Sequence, residues 1–432
     1  MNGIFFAIVL IAFLVAAWRE LNYEAGSDLP SPMEALSSGM ISSASGAVEL
    51  ALGLVGVMTL FLGLMKVAEA GGLLNIIARL IRPLMVRLFP EVPPNHPAMG
   101  AMILNMSANA LGLGNAATPF GIRAMQELDK LNPQPGTATN SMALFLAINT
   151  SGITLLPTGV IALRAAAGSG DPAAILPTTL FATACATAAA ISAALLLRRF
   201  FPVHPDPQAL TLQRPWVEVS TEDKTVQAMA DLPPYPAWVG ILVLLAFMSI
   251  IPLMILYGQS ISPWIMPGLM LGFLLFGWLR GVAIYEVFVE GAKDGFQVAL
   301  RIIPYLVAIL VAVGMFRASG ALDIMVALLG RWTEPLGLPA EALPMALLRP
   351  LSGSGAYGVM ASIIQDPASG PDTYIGYLVT TLQGSTETTF YVLAVYFGAV
   401  QIKRLRHTLA AALTADVVAV IAAVAICSYL FL

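Results

Sequence analysis

The stretch LQGSTETTFYVL, residues 382–393, sets the carboxylate of Glu387 among the hydroxyls of Ser385, Thr386, Thr388 and Thr389 in an otherwise apolar part of the chain. A carboxylate inside a membrane span is costly and faces a cavity or a partner. Glu387 can therefore accept hydrogen bonds from a hydroxyl- or amine-bearing solute, hold a coupling cation, or carry a proton where burial favours the neutral acid. The alternative is structural, with Glu387 pairing to Arg349 or to backbone amides freed by a helix break. Arg349, beside Pro350, has the matching pair of readings: an anion contact, or the partner of Glu387.

Three further stretches carry polar groups in apolar surroundings. Asn105, Ser107, Asn109 and Asn115 occur with Gly112, Gly114 and Pro119; Ser352 and Ser354 alternate with Gly353 and Gly355; Asn149, Thr150 and Ser151 precede Gly152, Thr154 and Pro157. Glycine and proline break a helix, and amide or hydroxyl side chains can bond the freed backbone or a solute. The first two stretches are too short for two crossings of ~20 residues each, which predicts re-entrant helical hairpins. The third stretch, and Gly384 with the hydroxyls after it, predict helices broken near the middle of a span. The half-helix N-termini so exposed present free amides and a positive dipole end to an anionic or carbonyl-bearing solute. Close helix packing through small residues is the competing reading. Asp416 and Glu49 read as packing or interfacial residues outside the site.

Enzyme chemistry has little support. The histidines His96, His204 and His407 lie at no metal-ligand spacing, no Walker sequence occurs, and SGSG lacks the strand and helix context of a nucleophile elbow. Cys185 and Cys427 sit far apart in apolar runs, so neither a disulfide framework nor a thiolate site is expected. No cofactor is expected.

The elements that must position these groups are membrane helices. Of 432 residues, 58% are apolar and 11% charged, and the mean hydropathy is +0.82, outside the range of soluble domains. The net charge of -4 is dispersed, with no basic stripe for nucleic acid. Apolar runs predict spans at residues 2–18, 47–65, 174–197, 237–257, 263–279, 297–315 and 408–431. The first has no Lys or Arg ahead of it and reads as a retained helix, not a signal peptide. Arg79, Arg82 and Arg87 lie at helical spacing on an apolar background, which suits an interfacial helix with snorkelling arginines or the end of a long tilted span.

The proline-rich, polar residues 201–236 read as a linker between two related halves. LMKVAEAGGLLNIIARLIRPL is echoed by VGMFRASGALDIMVALLGRWTEPL, AMILNMSANALGLGNAATP by MALLRPLSGSGAYGVMAS, and LAINTSGITLLPTGV by TLQGSTETTFYVLAV, in the same order. Four segments follow: residues 1–35, an N-terminal span and acidic outside loop; 36–200, a first repeat; 201–285, a cytoplasmic linker and two spans; 286–432, a second repeat. Lys and Arg concentrate in cytoplasmic loops. The acidic stretch Glu20 to Glu34 reads as outside, and Lys66, Arg79, Arg82, Arg87, Arg198, Arg199 and the run KRLRH as inside, so the first repeat enters from outside; Arg280 and Lys293 precede the second, which enters from inside, with Arg317 and Arg331 counting against the scheme. Inverted repeats with broken, polar helices are the pattern of secondary transporters.

At these residues the chain resembles known families. NHPAMGAMILNMSANALGLGNAATPFGIRAMQELDKLN and LFLAINTSGITLLPTGVIALR look like the spore maturation protein A family. LLRPLSGSGAYGVM and GPDTYIGYLVTTLQGSTETTFYVLAVYFGAVQIKRLRH look like the spore maturation protein B family. Both belong to the nucleoside-recognition, or Gate, domain group, which is similar to parts of concentrative nucleoside transporters and of ferrous iron transporters. The resemblance implies an all-α polytopic protein of two inverted Gate-type repeats in a bacterial inner membrane. Gly384 to Glu387, GSTE, resembles the Gly-Gln-Thr-Glu type sequence of the nucleoside transporters, with Ser385 in place of the glutamine that would read a base edge. Two functions are expected as alternatives. One is a transporter or channel for a small polar solute, nucleoside-like or not, with any coupling ion and homo-oligomerisation left open. The other is a non-transporting membrane protein that binds a ligand or supports envelope and spore maturation.

Overall fold

A helix of about 20 apolar residues can satisfy its whole backbone internally, which is why a chain of this composition folds as helices. The computed structural model describes residues 2–23, 30–112, 114–152, 154–202 and 235–432, and is nearly all helical, with one isolated bridge pairing Thr137 to Arg404. Most of the predicted linker lies outside the described residues.

The first half contains α1 (Asn2–Leu21), α2 (Pro32–Ala70), α3 (Leu73–Leu88), α4 (Pro97–Ala110), α5 (Gly114–Lys130), α6 (Asn140–Thr150), α7 (Thr158–Ala166) and α8 (Leu176–Leu197). After α9 (Ala237–Leu279) come α10 (Ile284–Ala318), α11 (Ala321–Thr333), α12 (Leu343–Leu348), α13 (Gly353–Gln365), α14 (Tyr374–Ser385), α15 (Thr389–Ala399) and α16 (Thr408–Phe431). The order in the two halves matches. A long helix ends at a glycine in the left-handed region, Gly72 (φ 86°) after α2 and Gly320 (φ 79°) after α10. A second helix, a helix-turn-helix piece, a broken helix and a terminal span then follow in each half.

Among the described residues, the stretches Pro32–Ala70, Pro172–Phe200 and Thr408–Phe431 are long and apolar enough to cross a membrane. A further pair, Leu306–Ala318 and Ala321–Leu336, bends by 74°. The helix α2 starts sharply because Ser31 and Glu34 form a reciprocal capping box behind Pro32.

Two expectations are corrected. The runs 237–257 and 263–279, expected as separate spans, lie on the single 43-residue helix α9. Each proline in it removes one backbone donor, yet the helix runs on through them from Ala237 to Leu279. Arg82 does not snorkel. It is buried, donating to the Pro94 carbonyl (3.3 Å) and Asn95 Oδ1 (3.1 Å), because the loop after α3 folds back over it.

The halves share two cores. Leu54, Ile161 and Ile175 pack with Met345, Met360, Leu378 and Ile426 in one, while Met99, Leu104 and Phe145 pack with Phe397 and Ala411 in the other. Neither half buries its apolar surface alone. The helices α2 and α10 run against each other, as do α8 and α16, and α6 and α14 each contact both members of the second pair.

Candidate functional site

The site forms where the two broken helices meet. Helix α6 ends at Thr150 and α7 begins at Thr158; α14 ends at Ser385 and α15 begins at Thr389. The chain between α6 and α7 crosses to the other break, where the Glu387 N–H donates to the Thr150 carbonyl at 2.9 Å. Glycine is required at this crossing. Gly152 has φ 56°, and a Cβ there would lie 3.1 Å from the Thr386 carbonyl carbon. Residues in that backbone region are strained unless they are glycine.

Each break finds partners for its freed backbone groups. Leu155 N–H donates to the Ala110 carbonyl at 2.9 Å, tying the first break to the turn between α4 and α5. Thr183 on α8 donates to the Ser151 carbonyl (3.0 Å) and reaches the Gly152 carbonyl as well. At the second break the Phe390 N–H donates to the Pro350 carbonyl at 3.0 Å, tying α15 to the turn between α12 and α13. Buried polar backbone at this depth demands such pairing.

The space between the breaks is a cavity of about 250 Å³, into which Asn109, Arg349, Gln383, Thr386 and Glu387 project beside Thr154, Thr158 and Tyr357. Arg349 is buried; it donates to Thr388 Oγ1 at 3.2 Å and lies 3.9 Å from Glu387, whose side chain is 49% exposed to the cavity. Gln383 Oε1 is shielded and has no protein partner. A carboxylate, a guanidinium and two carboxamides thus line one space. They can bind a neutral solute rich in hydroxyl and amide-like groups, or a zwitterion.

Behind Asn109 an amide chain leads inward. Asn109 donates to Asn149 Oδ1 (2.9 Å), Asn149 donates to the Phe145 carbonyl (2.9 Å), and Tyr396 approaches Asn149 Oδ1 at 3.4 Å. Asn105 donates to the Ala117 carbonyl (2.8 Å) and Tyr396 Oη (3.1 Å). A Cβ on Gly121 would collide with the Tyr396 ring, so the glycine makes room for this phenol.

The sequence candidates divide accordingly. Asn109, Arg349, Gly384, Thr386 and Glu387 line the cavity, and Asn105, Asn149 and Thr388 support it from behind. Ser107, Thr150, Ser151 and Ser385 return their hydroxyls to helix carbonyls three or four residues back, as buried Ser and Thr do. Ser151 also meets Thr187 at 3.0 Å. Ser352 caps α13 through the Gly355 N–H (3.0 Å), and Ser354 is exposed away from the cavity. Asn115 falls in the first turn of α5, with its side chain outside the described part of the structure. The structure adds Gln383, Tyr396 and Thr183. Gln383 sits one residue before the quoted glycine, and Tyr396 occurs in an apolar run that carries no separate signal.

A helical chain with this composition, and with two like halves meeting at broken helices, is a multi-pass membrane protein. The Gate family model, described as nucleoside recognition, matches residues 51–167 and 299–403, and the chain belongs to that family. It is 48% identical to spore maturation protein B of Bacillus subtilis (strain 168) over 165 residues, 38% of this chain and 92% of that protein. It is 47% identical to spore maturation protein A of the same organism over 151 residues, 35% of this chain and 77% of that protein. One chain therefore carries sequence like both, as a fusion would, and is a multi-pass bacterial membrane protein. No solved structure matches it.

Proposed function

We propose that the protein moves a small polar solute across the membrane through the cavity between the two breaks. The observation that carries this reading is the contact of the two breaks at Thr150 and Glu387, with a polar cavity of about 250 Å³ beside it. A cavity of that size suits a nucleoside-sized molecule. Glu387 would accept sugar hydroxyls, and Gln383, not Ser385, would supply the amide for a base edge. The family's printed description, nucleoside recognition, supports this class of solute. In this reading residues 36–200 and 286–432 act as oppositely oriented repeats, with the turns after α4 and after α12 opening to opposite sides. Residues 1–35 and 201–285 flank and join them.

Uptake of tritiated uridine and adenosine into proteoliposomes tests the proposal. Flux above protein-free vesicles, reduced at least tenfold in Glu387→Gln with unchanged thermal unfolding, is the expected result. Saturable binding without flux in either protein would favour a ligand-binding, non-transporting role. Absence of both overturns the reading.

A further inference from the structure

Asp416 lies in the ninth position of α16, about 13 Å into a helix of about 36 Å at ~1.5 Å per residue. It therefore lies about a third of the way along the span, within its apolar part, where an ionised carboxylate needs a compensating charge. The residue is only 6% exposed. Its Oδ2 accepts from Thr389 at 2.7 Å, while Oδ1 is buried without a partner. A second buried and unpartnered polar atom, Arg349 Nε, lines the same small enclosed cavity, which Ser385 and Thr386 also border.

Arg349 stands between two carboxylates. Glu387 lies 3.9 Å from it at the larger cavity, and Asp416 borders the small cavity that Arg349 also lines. Arg349 is the charged group that acts on Asp416 among the described residues, with Glu387 beyond it; Thr389 supplies the one hydrogen bond. Glu387 is half-exposed at the cavity, whereas an ionised Asp416 would be buried and would have to share Arg349 with it. The enclosed cavity measures about 10 Å³, at the lower limit for one water. A hydrated cation does not fit, and a bare one would lack the several oxygen ligands it needs. A proton fits.

We propose that Asp416 is a proton-binding site whose occupancy is exchanged against the pairing of Arg349. With Asp416 protonated, Arg349 belongs to Glu387 and holds that carboxylate at the cavity wall. When the proton leaves, Arg349 turns toward Asp416 and frees Glu387. The proton moves onto or off a carboxylate oxygen of Asp416 and no other bond changes. The link to a moving solute rests on the transport reading above, but the proton site itself does not.

Infrared difference spectroscopy of the full-length protein in bilayers, titrated with acid and base, tests it without any solute. The expected result is a protonated-carboxyl band that disappears in Asp416→Asn and shifts in frequency in Asp416→Glu, the second variant covering any failure of the first to fold. In Glu387→Gln, where Arg349 has lost its other partner, the band should titrate at least one pH unit lower, a tenfold weaker hold on the proton. Absence of an Asp416-dependent band, or a midpoint unmoved in Glu387→Gln, overturns the proposal. In vesicles, Asp416→Asn should keep uridine exchange while losing accumulation driven by a pH gradient. Accumulation driven by sodium in place of protons would also overturn it. If the wild type moves no uridine, the transport reading falls and the infrared titration alone decides for or against Asp416.

Discussion

The two halves of this chain hold each other by the same plan in different chemistry. Arg164, at the end of α7, reaches the loop that precedes α14. Arg406, after α15, reaches the loop that precedes α6. Arg164 is fully buried and does its work with its side chain, donating to the Pro371 carbonyl (2.6 Å), Thr380 (3.3 Å) and Asp372 (2.9 Å) and stacking over Tyr377. At the other end backbone groups share the holding with the side chain. Lys403 and Arg404 N–H groups donate to the Gly136 carbonyl (2.9 and 3.0 Å), Ala138 N–H donates to the Arg404 carbonyl (3.0 Å), and the Arg406 side chain adds bonds to the Ala138 carbonyl (2.8 Å), Asn140 Oδ1 (3.1 Å) and the Phe201 carbonyl. The breaks differ in the opposite sense. The first is neutral and finds backbone partners in Thr183 and Ala110, whereas the second carries Glu387 and Arg349 with hydrogen-bonding capacity to spare. Each half therefore supplies one fixed element and one chemically reactive element. Substitutions should separate them.

Arg164→Met should have the largest effect. It leaves buried carbonyl and hydroxyl acceptors without a charged donor, and bonds to charged groups contribute ~1.5–3 kcal/mol each. Asp372 is 42% exposed and keeps water plus bonds from Ser169 and Gly170, which discounts the ion pair itself. A loss of about 3 kcal/mol is expected, read as a lowered unfolding temperature in detergent. Gly152→Ala comes next at about 2 kcal/mol, combining ~1–2 kcal/mol of left-handed strain with a contact that the Thr386 backbone cannot relieve. Gly159→Ala, where a Cβ meets open space, serves as its control and should stay within ~0.5 kcal/mol. Equal effects at 152 and 159 would show that the crossing of the two breaks does not constrain the fold.

Arg406→Met should cost about 1 kcal/mol, because its side chain is only half-buried, so water can replace its bonds, and the backbone bonds to Gly136 and from Ala138 survive it. A cost as large as that of Arg164→Met would erase the distinction between a side-chain clasp and one shared with the backbone.

The sequence exposed the helical membrane class, both breaks and the pairing of Glu387 with Arg349, because each rests on a local signal: apolar runs, Gly and Pro interruptions, and charges out of place. It did not expose what depends on packing between halves. Ser151 and Ser385 read as site residues, yet both return their hydroxyls to their own helices. Asp416 reads as a packing residue because nothing near it in sequence is charged; Thr389 and Arg349 reach it only once the chain has folded. Arg164 carries no motif at all, and its role depends on a loop 207 to 208 positions away. The length of α9 was missed because prolines weaken a helix without obliging it to stop.

His407 gives the smallest effect at neutral pH and the clearest test of the partly backbone-built clasp. It lies just before α16, buried against Phe201, with neither ring nitrogen hydrogen-bonded. Burial, reinforced by the positive charges of Arg406 and Arg198, pushes its pKa down to about 4, against ~6.5 for a free imidazole. In the folded protein the ring stays neutral down to about 4, while in the unfolded chain it takes up a proton below ~6.5. The unfolded state thus binds more protons in that window, so stability falls as pH drops from about 6.5 to about 4 and is unaffected above it. His407→Phe should flatten this part of the curve of unfolding temperature against pH while leaving the value at pH 8 within a degree or two. Arg406→Met should flatten it partly, since one of the two charges opposing protonation is gone, and Arg164→Met should leave its shape alone. A slope that survives His407→Phe would move the acid sensitivity elsewhere and remove this difference between the two clasps.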